Sequence, residues 1–326
     1  MAASGLGKRY GDHWALRDFD LEVPTGSVLG LLGHNGAGKT TAIRILTTLA
    51  APTEGSATVA GFDVAGEPGE VRQRIGLTSQ AATVDGLLSG AANLEMIGRL
   101  YHLPAKVARA RAAELLAELR LEDADDRLVR DYSGGMRRRL DLAASLVASP
   151  PVLFLDEPTT GLDPESRNEL WDLLRQLVGG GTTLILTTQY LEEADRLADD
   201  VVLLDHGRGA ATGSPTELKA RHGGERVVVT VTVDSELPAA ATALERVAAG
   251  APEVDAEELL VTAPASESTR LIEVVRALEE AGVDAHDVRR REATLDDVFF
   301  SLTGPRAGAT AQPAKAKDDD PEEVTA

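Results

Sequence analysis

A chain of 326 residues has room for about two domains, each able to bury a core, and the absence of cysteine excludes disulfides, thiolate catalysis and cysteine-ligated zinc. The formal net charge is −20, and residues 225–304 hold 17 acidic against 7 basic side chains. Such a surface repels phosphate backbones and anionic headgroups, so it argues against nucleic acid and bare membrane as partners and leaves a protein as the means of any membrane attachment.

In chain order, residues 1–10 place Lys8 and Arg9 before no apolar run, so no leader is expected. Residues 27–33, SVLGLLG, predict a strand that enters a glycine-rich turn, and residues 40–49 predict the helix that leaves it. Residues 93–121 have helical composition broken only by Pro104, which predicts a helical insert over about 84–150. The apolar stretch 142–155 is shorter than the roughly 18 residues a membrane-crossing helix needs and contains Pro150 and Pro151, so the chain is expected in the cytoplasm. Residues 152–155, 182–187 and 201–204 are continuous rather than alternating apolar runs, the pattern of a parallel sheet covered on both faces, so an α/β fold is predicted for residues 1–222.

Composition breaks at RHGGE, residues 221–225. Beyond it, strands are predicted at 226–233, 259–262 and 288–292, and helices at 237–249, 269–281 and 295–302, giving a small acidic α+β domain over 225–304. Residues 305–326, rich in Pro, Ala, Lys and Asp, predict a disordered tail.

Three motifs carry chemistry. Gly33, His34, Asn35, Gly36, Ala37, Gly38, Lys39 and Thr40 fit GxxxxGK[ST] between a strand and a helix, the context in which backbone N–H groups converge on phosphates. Lys39 then supplies a point charge for the β and γ groups, the Thr40 hydroxyl can ligate Mg²⁺, and Thr41 completes the nucleotide set. VLFLDE, residues 152–157, ends a buried strand in two carboxylates that strand alternation sends in different directions: Asp156 toward a magnesium shell, Glu157 toward a water attacking the γ-phosphate. The third motif is Tyr132-Ser133-Gly134-Gly135-Met136, a glycine turn before a helix that Ser133 can cap.

That third motif resembles the LSGGQ signature of the ABC ATPases, and the resemblance runs from about residue 4 to residue 219. It implies a P-loop ATPase domain with ATP and Mg²⁺ as cofactors. Ser133, Gly134 and Gly135 would bind the γ-phosphate held by a second copy of the chain, so two ATPs are sandwiched in a homodimer. By the same resemblance Tyr10 stacks on adenine, Gln80 reaches the metal and links the site to the membrane subunit, Asp163 lies in the D-loop, and Gln189 takes the place of the usual γ-phosphate histidine. Met136 likewise replaces the usual signature glutamine. Each motif occurs once, unlike the tandem ABC proteins that act on ribosomes, and no long coiled coil splits the cassette as in DNA-repair ATPases. YSGGMRRRLDLAAS, TTQYLEEAD and a C-terminal LDDVFFSLTG are similar to the daunorubicin-resistance subgroup. This implies an ATPase that drives drug export through a separate permease, bound peripherally on the cytoplasmic side of the membrane. A non-catalytic module that sequesters a drug through residues 225–304 is the alternative from another class.

Overall fold

A computed structural model describes residues 1–78, 83–266 and 268–303, so Gln80 and the 305–326 tail lie outside the described residues. The chain begins with an antiparallel hairpin, β1 (Ala2–Tyr10) and β2 (His13–Glu22), followed by the apolar β3 (Val28–Leu32) and α1 (Lys39–Leu46). β4 (Glu54–Val59), β5 (Phe62–Asp63) and α2 (Pro68–Arg72) lead into β6 (Ile75–Thr78). Three helices then intervene, α3 (Gly90–Leu100), α4 (Ala105–Glu118) and α5 (Gly134–Leu146), before β7 (Val152–Asp156). After it come α6 (Pro164–Gly179), β8 (Thr183–Thr188), α7 (Leu191–Leu197), β9 (Asp200–Asp205), β10 (Arg208–Gly213) and α8 (Pro215–Leu218).

Two sheets result. The central one runs β10-β9-β3-β8-β7-β6, parallel except for its edge strand β10, and the other is antiparallel in the order β2-β1-β4-β5. β3 is wholly buried because both its neighbours, β8 and β9, come from far downstream and helices cover both faces of the sheet. One core packs Leu6, Leu16 and Phe19 of the antiparallel sheet against Ile43, Ile45 and Leu46 of α1. The other joins the inserted helices to α6 through Leu115, Leu140, Trp171 and Leu174.

The predicted central strands are present, but the antiparallel sheet and β10 go beyond the sequence reading. β1 and β2 bury an irregular set of positions because their register shifts three times, so no clean period of two survives. The helix predicted over 40–49 ends at Leu46: the Thr47 hydroxyl donates to the Ile43 carbonyl at 2.7 Å, and Thr48 turns left-handed at φ 63°.

The C-terminal region folds as β11 (Glu225–Val231), α9 (Leu237–Val247), β12 (Glu253–Asp255), β13 (Leu260–Ala265), α10 (Leu271–Glu280), β14 (Ala285–Arg291) and α11 (Leu295–Thr303). Its antiparallel sheet, β12-β13-β11-β14, has its own core of Val227, Val229, Val261, Leu244 and Leu278. α11 turns back: Leu295, Val298 and Phe299 pack with Ala194, Val201, Leu203 and Leu218 of the preceding region. At about 1.5–3 kcal/mol for each large side chain fully buried, this contact fixes the C-terminal sheet to α7 and β9. The root of α11 is ionic. Asp297 lies 2.9 Å from the Arg226 guanidinium, with both side chains almost fully buried, and accepts from Arg291 at 2.6 Å and from the Thr294 N–H at 2.8 Å.

Candidate functional site

The strand β3 delivers the chain into a loop that only glycines can follow. At Gly33 φ is 152° and a Cβ would run into the Leu204 carbonyl oxygen; at Gly38 φ is 109° and a Cβ would meet the Ala15 oxygen at 2.6 Å. The loop is thus wedged between β2 and β9, and Lys39 opens α1 behind it. The Lys39 ammonium is buried and donates to the Gly33 oxygen at 2.6 Å and to the His34 oxygen at 3.2 Å. Burial lowers its pKa, against the pull of Glu157 and Asp156 nearby. Both acids lie near enough to act on the same charge. Thr40 is exposed at the helix start and Thr41 is half-buried.

Asp156 closes β7. It is buried, and Thr187 of the neighbouring β8 donates its hydroxyl to the carboxylate. Glu157 keeps one more ladder contact, its N–H reaching the Thr187 oxygen at 3.0 Å, and then leaves the strand with φ 50°. The two acids therefore diverge by a different route from the strand alternation expected of them: Glu157 is left-handed, a conformation that costs a non-glycine residue roughly 1–3 kcal/mol. Thr160 donates to its Oε2 at 3.4 Å.

Sequence reasoning missed what holds that turn. Arg138, one turn into α5, donates to three successive carbonyls: those of Asp156 at 3.1 Å, Glu157 at 2.9 Å and Pro158 at 2.7 Å. Burial lowers its pKa, while Asp141, Asp156, Glu193 and Glu157 draw it back up. Asp141, three residues on and so on the same face, is buried and accepts from the Thr83 N–H at 2.8 Å. The spacing in YSGGMRRRLD puts Gly135, Arg138 and Asp141 on one helix face, but three arginines in a row do not say which of them turns inward.

At the N-terminus of the same helix, Ser133 accepts from the Met136 N–H at 3.2 Å, so the capping reading of Ser133 holds; Gly134 and Gly135 form the first turn. Asp163 caps α6, accepting from the Ser166 N–H at 2.9 Å and from its hydroxyl at 2.7 Å, and these bonds lower its pKa. Gln189 is exposed directly after β8. Four residues later Glu193 of α7 is completely buried, accepting from the Trp171 indole N–H at 3.1 Å; burial raises its carboxyl pKa. Tyr10 is exposed at the turn end of the β1–β2 hairpin, paired with His13, with the Lys8 ammonium 5.2 Å from its ring centroid.

A glycine loop after a central parallel strand, with paired acids at the end of a nearby strand of the same sheet, defines the class of phosphate-loop nucleoside triphosphatases. The ABC transporter family model matches residues 16–160, which span all three motifs. The chain is 56% identical to the daunorubicin resistance ATP-binding protein DrrA2 of Streptomyces coeruleorubidus, over 95% of this chain and 97% of that protein. It is 46% identical to the daunorubicin/doxorubicin resistance ATP-binding protein DrrA of Streptomyces peucetius, over 93% of this chain and 92% of that one. Among solved structures, the dimeric bacterial ABC transporter cassette MJ0796 superposes with a TM-score of 0.60 at 25% identity, covering 65% of this chain and 97% of the cassette. The chain therefore belongs to the ABC transporter ATPases, as a drug-resistance-type ATP-binding subunit. No helix among the described residues is long and apolar enough to cross a membrane.

Proposed function

We propose that this subunit hydrolyses ATP in a sandwich of two copies and thereby powers export of a drug through a separate permease, with residues 33–41 cradling the phosphates and Glu157 positioning the attacking water. One observation carries the reading: a desolvated lysine, held among the described residues by loop carbonyls, is buried beside two carboxylates at the end of the sheet. A phosphate chain is the natural counter-ion for that lysine, and backbone N–H groups at the start of α1 add to the attraction. The acids suit a cation as well, so Mg²⁺ fits the donor set of Asp156 and the Thr40 hydroxyl, with Gln80 as a further ligand by family likeness. When bound, Mg²⁺ would neutralise charge on the β- and γ-phosphates.

Within this reading Arg138 is a positioning residue. It holds the backbone of residues 156–158 so that the strained Glu157 keeps one orientation, and Gln189 donates its amide N–H to the γ-phosphate without being able to titrate. Ser133, Gly134 and Gly135 face the ATP of the second copy, with Asp163 beside them, while Tyr10 takes the adenine. Support for the permease comes from an apolar groove of about 350 Å³ between the sheet and α3, lined by Leu49, Leu77, Ile97, Leu100 and Tyr101. Leu49 and Leu100 are 58% and 71% exposed at this groove, apolar surface of the kind that a protein partner covers. Thr83, three residues after Gln80, lines the same groove. Such docking would keep the protein on the cytoplasmic face of the membrane. The drug as cargo follows from the resistance relatives.

The test is Glu157→Gln with the permease co-expressed. ATP binding is expected to persist while turnover falls by roughly 10²- to 10⁴-fold, the usual worth of a positioned base, and the ATP-bound variant is expected to elute as a dimer. A variant that stays monomeric at saturating ATP contradicts the sandwich.

A further inference from the structure

The phosphate loop carries a side chain that the ATPase reading does not use. His34 projects toward the β9–β10 turn, where Asp205 ends β9 and His206 follows it. His34 Nε2 is 3.1 Å from Asp205 Oδ1, His206 Nε2 is 3.8 Å from the same oxygen, and the ligand atoms of all three residues lie within 4.8 Å of one another. The two rings meet edge to face, with centroids 5.2 Å apart.

The hydrogen bonding of His34 shows what this cluster lacks. Its Nδ1 is 2.7 Å from the Asn35 carbonyl oxygen, which can only accept, so Nδ1 carries the hydrogen. In a neutral ring Nε2 then holds a lone pair aimed at a carboxylate oxygen, and two acceptors at that distance need a cation between them. Either a second proton or a metal ion meets the requirement. A carbonyl that fixes Nδ1–H is also the usual outer support of a histidine ligating metal through Nε2. Bonds of about 2.0–2.1 Å in a tetrahedral zinc site set neighbouring ligand atoms about 3.3 Å apart, close to the His34–Asp205 spacing of 3.1 Å, and the exposed His206 ring has to close by only about half an ångström on Asp205 to join them.

We propose that His34, Asp205 and His206 form a binding site for a divalent transition-metal ion of the zinc type, distinct from the Mg²⁺ that accompanies ATP. Two imidazoles and one carboxylate favour Zn²⁺, Co²⁺ or Ni²⁺ over Mg²⁺, which prefers an all-oxygen shell. The backbone presents the ligands on firm elements. The Gly207 N–H donates to the Ala37 oxygen at 2.9 Å, and the Arg17 N–H donates to the Gly207 oxygen at 2.8 Å, so the turn is already tied to the loop and to β2. His206 and Gly207 have φ 44° and 78°, a two-residue left-handed hairpin turn in which asparagine is the favoured occupant of the first position. A metal held here adds a side-chain tie between turn and loop to the backbone one. It also holds the His34 carbonyl beside Lys39, the contact that an incoming phosphate must compete with. Zinc and ATP binding are then coupled, each weakening the other by the same factor.

The experiment titrates protein lacking a histidine tag with Zn²⁺ against a chelating dye, and with Co²⁺ followed by visible absorption. One Zn²⁺ per chain is expected, together with tetrahedral Co²⁺ bands. His206→Asn, which suits the left-handed turn, and Asp205→Asn should each weaken Zn²⁺ by at least about tenfold, in line with the loss of one ligand. His206→Asn should retain wild-type ATP hydrolysis without zinc, and zinc should raise the KM for ATP of the wild type alone. Absence of saturable binding overturns the site and leaves His34 and Asp205 as a hydrogen-bonded imidazole–carboxylate pair. Binding that survives both substitutions overturns it too, placing the ion on other histidines.

Discussion

Two clusters of buried charge in this molecule are built on opposite plans. At the phosphate loop Lys39 and Arg138 donate to the backbone carbonyls of Gly33, His34 and residues 156–158, and burial lowers the pKa of both. At the root of α11 the charges meet one another: Asp297 lies against Arg226 and Arg291 and takes the Thr294 N–H as well. Burial alone would raise the Asp297 pKa, but these donors and charges outweigh it and hold the carboxyl below its usual range. In the first cluster Lys39 accepts a cost in stability to stay available for something outside the fold, and Arg138 shapes the turn beside it. In the second, each charge is consumed in joining one part of the chain to another.

The contrast is tested most severely by Lys39→Ala. ATP binding is expected to fall by at least about a hundredfold, because the loop loses its fixed point charge, yet the melting temperature should hold or rise, since a desolvated cation has been removed. Calorimetric titration and a thermal scan of the same preparation read both effects. A clear loss of stability would place Lys39 with the second kind of cluster.

Asp297→Ala should show the reverse. Arg226 would lose its buried partner and keep only the exposed Glu253 at 3.0 Å, a loss of up to about 3–5 kcal/mol, so α11 should release at a lower temperature, while the KM for ATP of the folded protein stays near wild type. The pH dependence has a defined sign. A carboxyl whose folded pKa is lowered contributes its full stability above the unfolded value of about 3.9 and loses it as pH falls through the folded value. Acid should therefore loosen the wild-type α11 contact and leave Asp297→Ala comparatively indifferent, as followed by the Phe299 and Phe300 ring signals.

Arg138→Met sits between the two plans, since it removes a buried cation that serves the backbone. Turnover should drop by about tenfold to a hundredfold as Glu157 loses its fixed orientation, with ATP affinity nearly unchanged; Arg138→Lys, which can reach fewer of the three carbonyls, should recover part of it. Equal losses in kcat and in ATP binding would count against a positioning role. The smallest change is expected at Gln189. Gln189→Ala should lower turnover several-fold, and Gln189→His should keep activity while adding a titration near pH ~6.5 to the rate profile.

The same contrast explains what could be read from the sequence. The phosphate loop, the Asp156-Glu157 pair and the Ser133 turn are contiguous, and each is punctuated by glycine or by a strand end, so spacing alone exposes them. Arg138 was hidden because its partners are main-chain atoms about twenty residues away, which carry no side-chain signature. Arg226 and Asp297 are separated by a whole domain and look like two ordinary surface charges. β10 was hidden for another reason: RGAATG, small and mostly exposed on a sheet edge, has neither the β-branched content nor the alternation that marks a strand. The left-handed Glu157 could not be read at all, since nothing in DEP reports a positive φ.

The placement of β3 between β8 and β9 also has a consequence for synthesis. The strand VLGLL leaves the ribosome early, but its two hydrogen-bonding neighbours begin at residues 183 and 200, some 150 residues later. At about 5–20 residues per second, the nascent chain must carry that bare apolar segment for roughly ten to thirty seconds before either edge can be paired. Ribosomes stalled before residue 183 would hold the most aggregation-prone form of this protein, and the phosphate loop would take shape only late in translation.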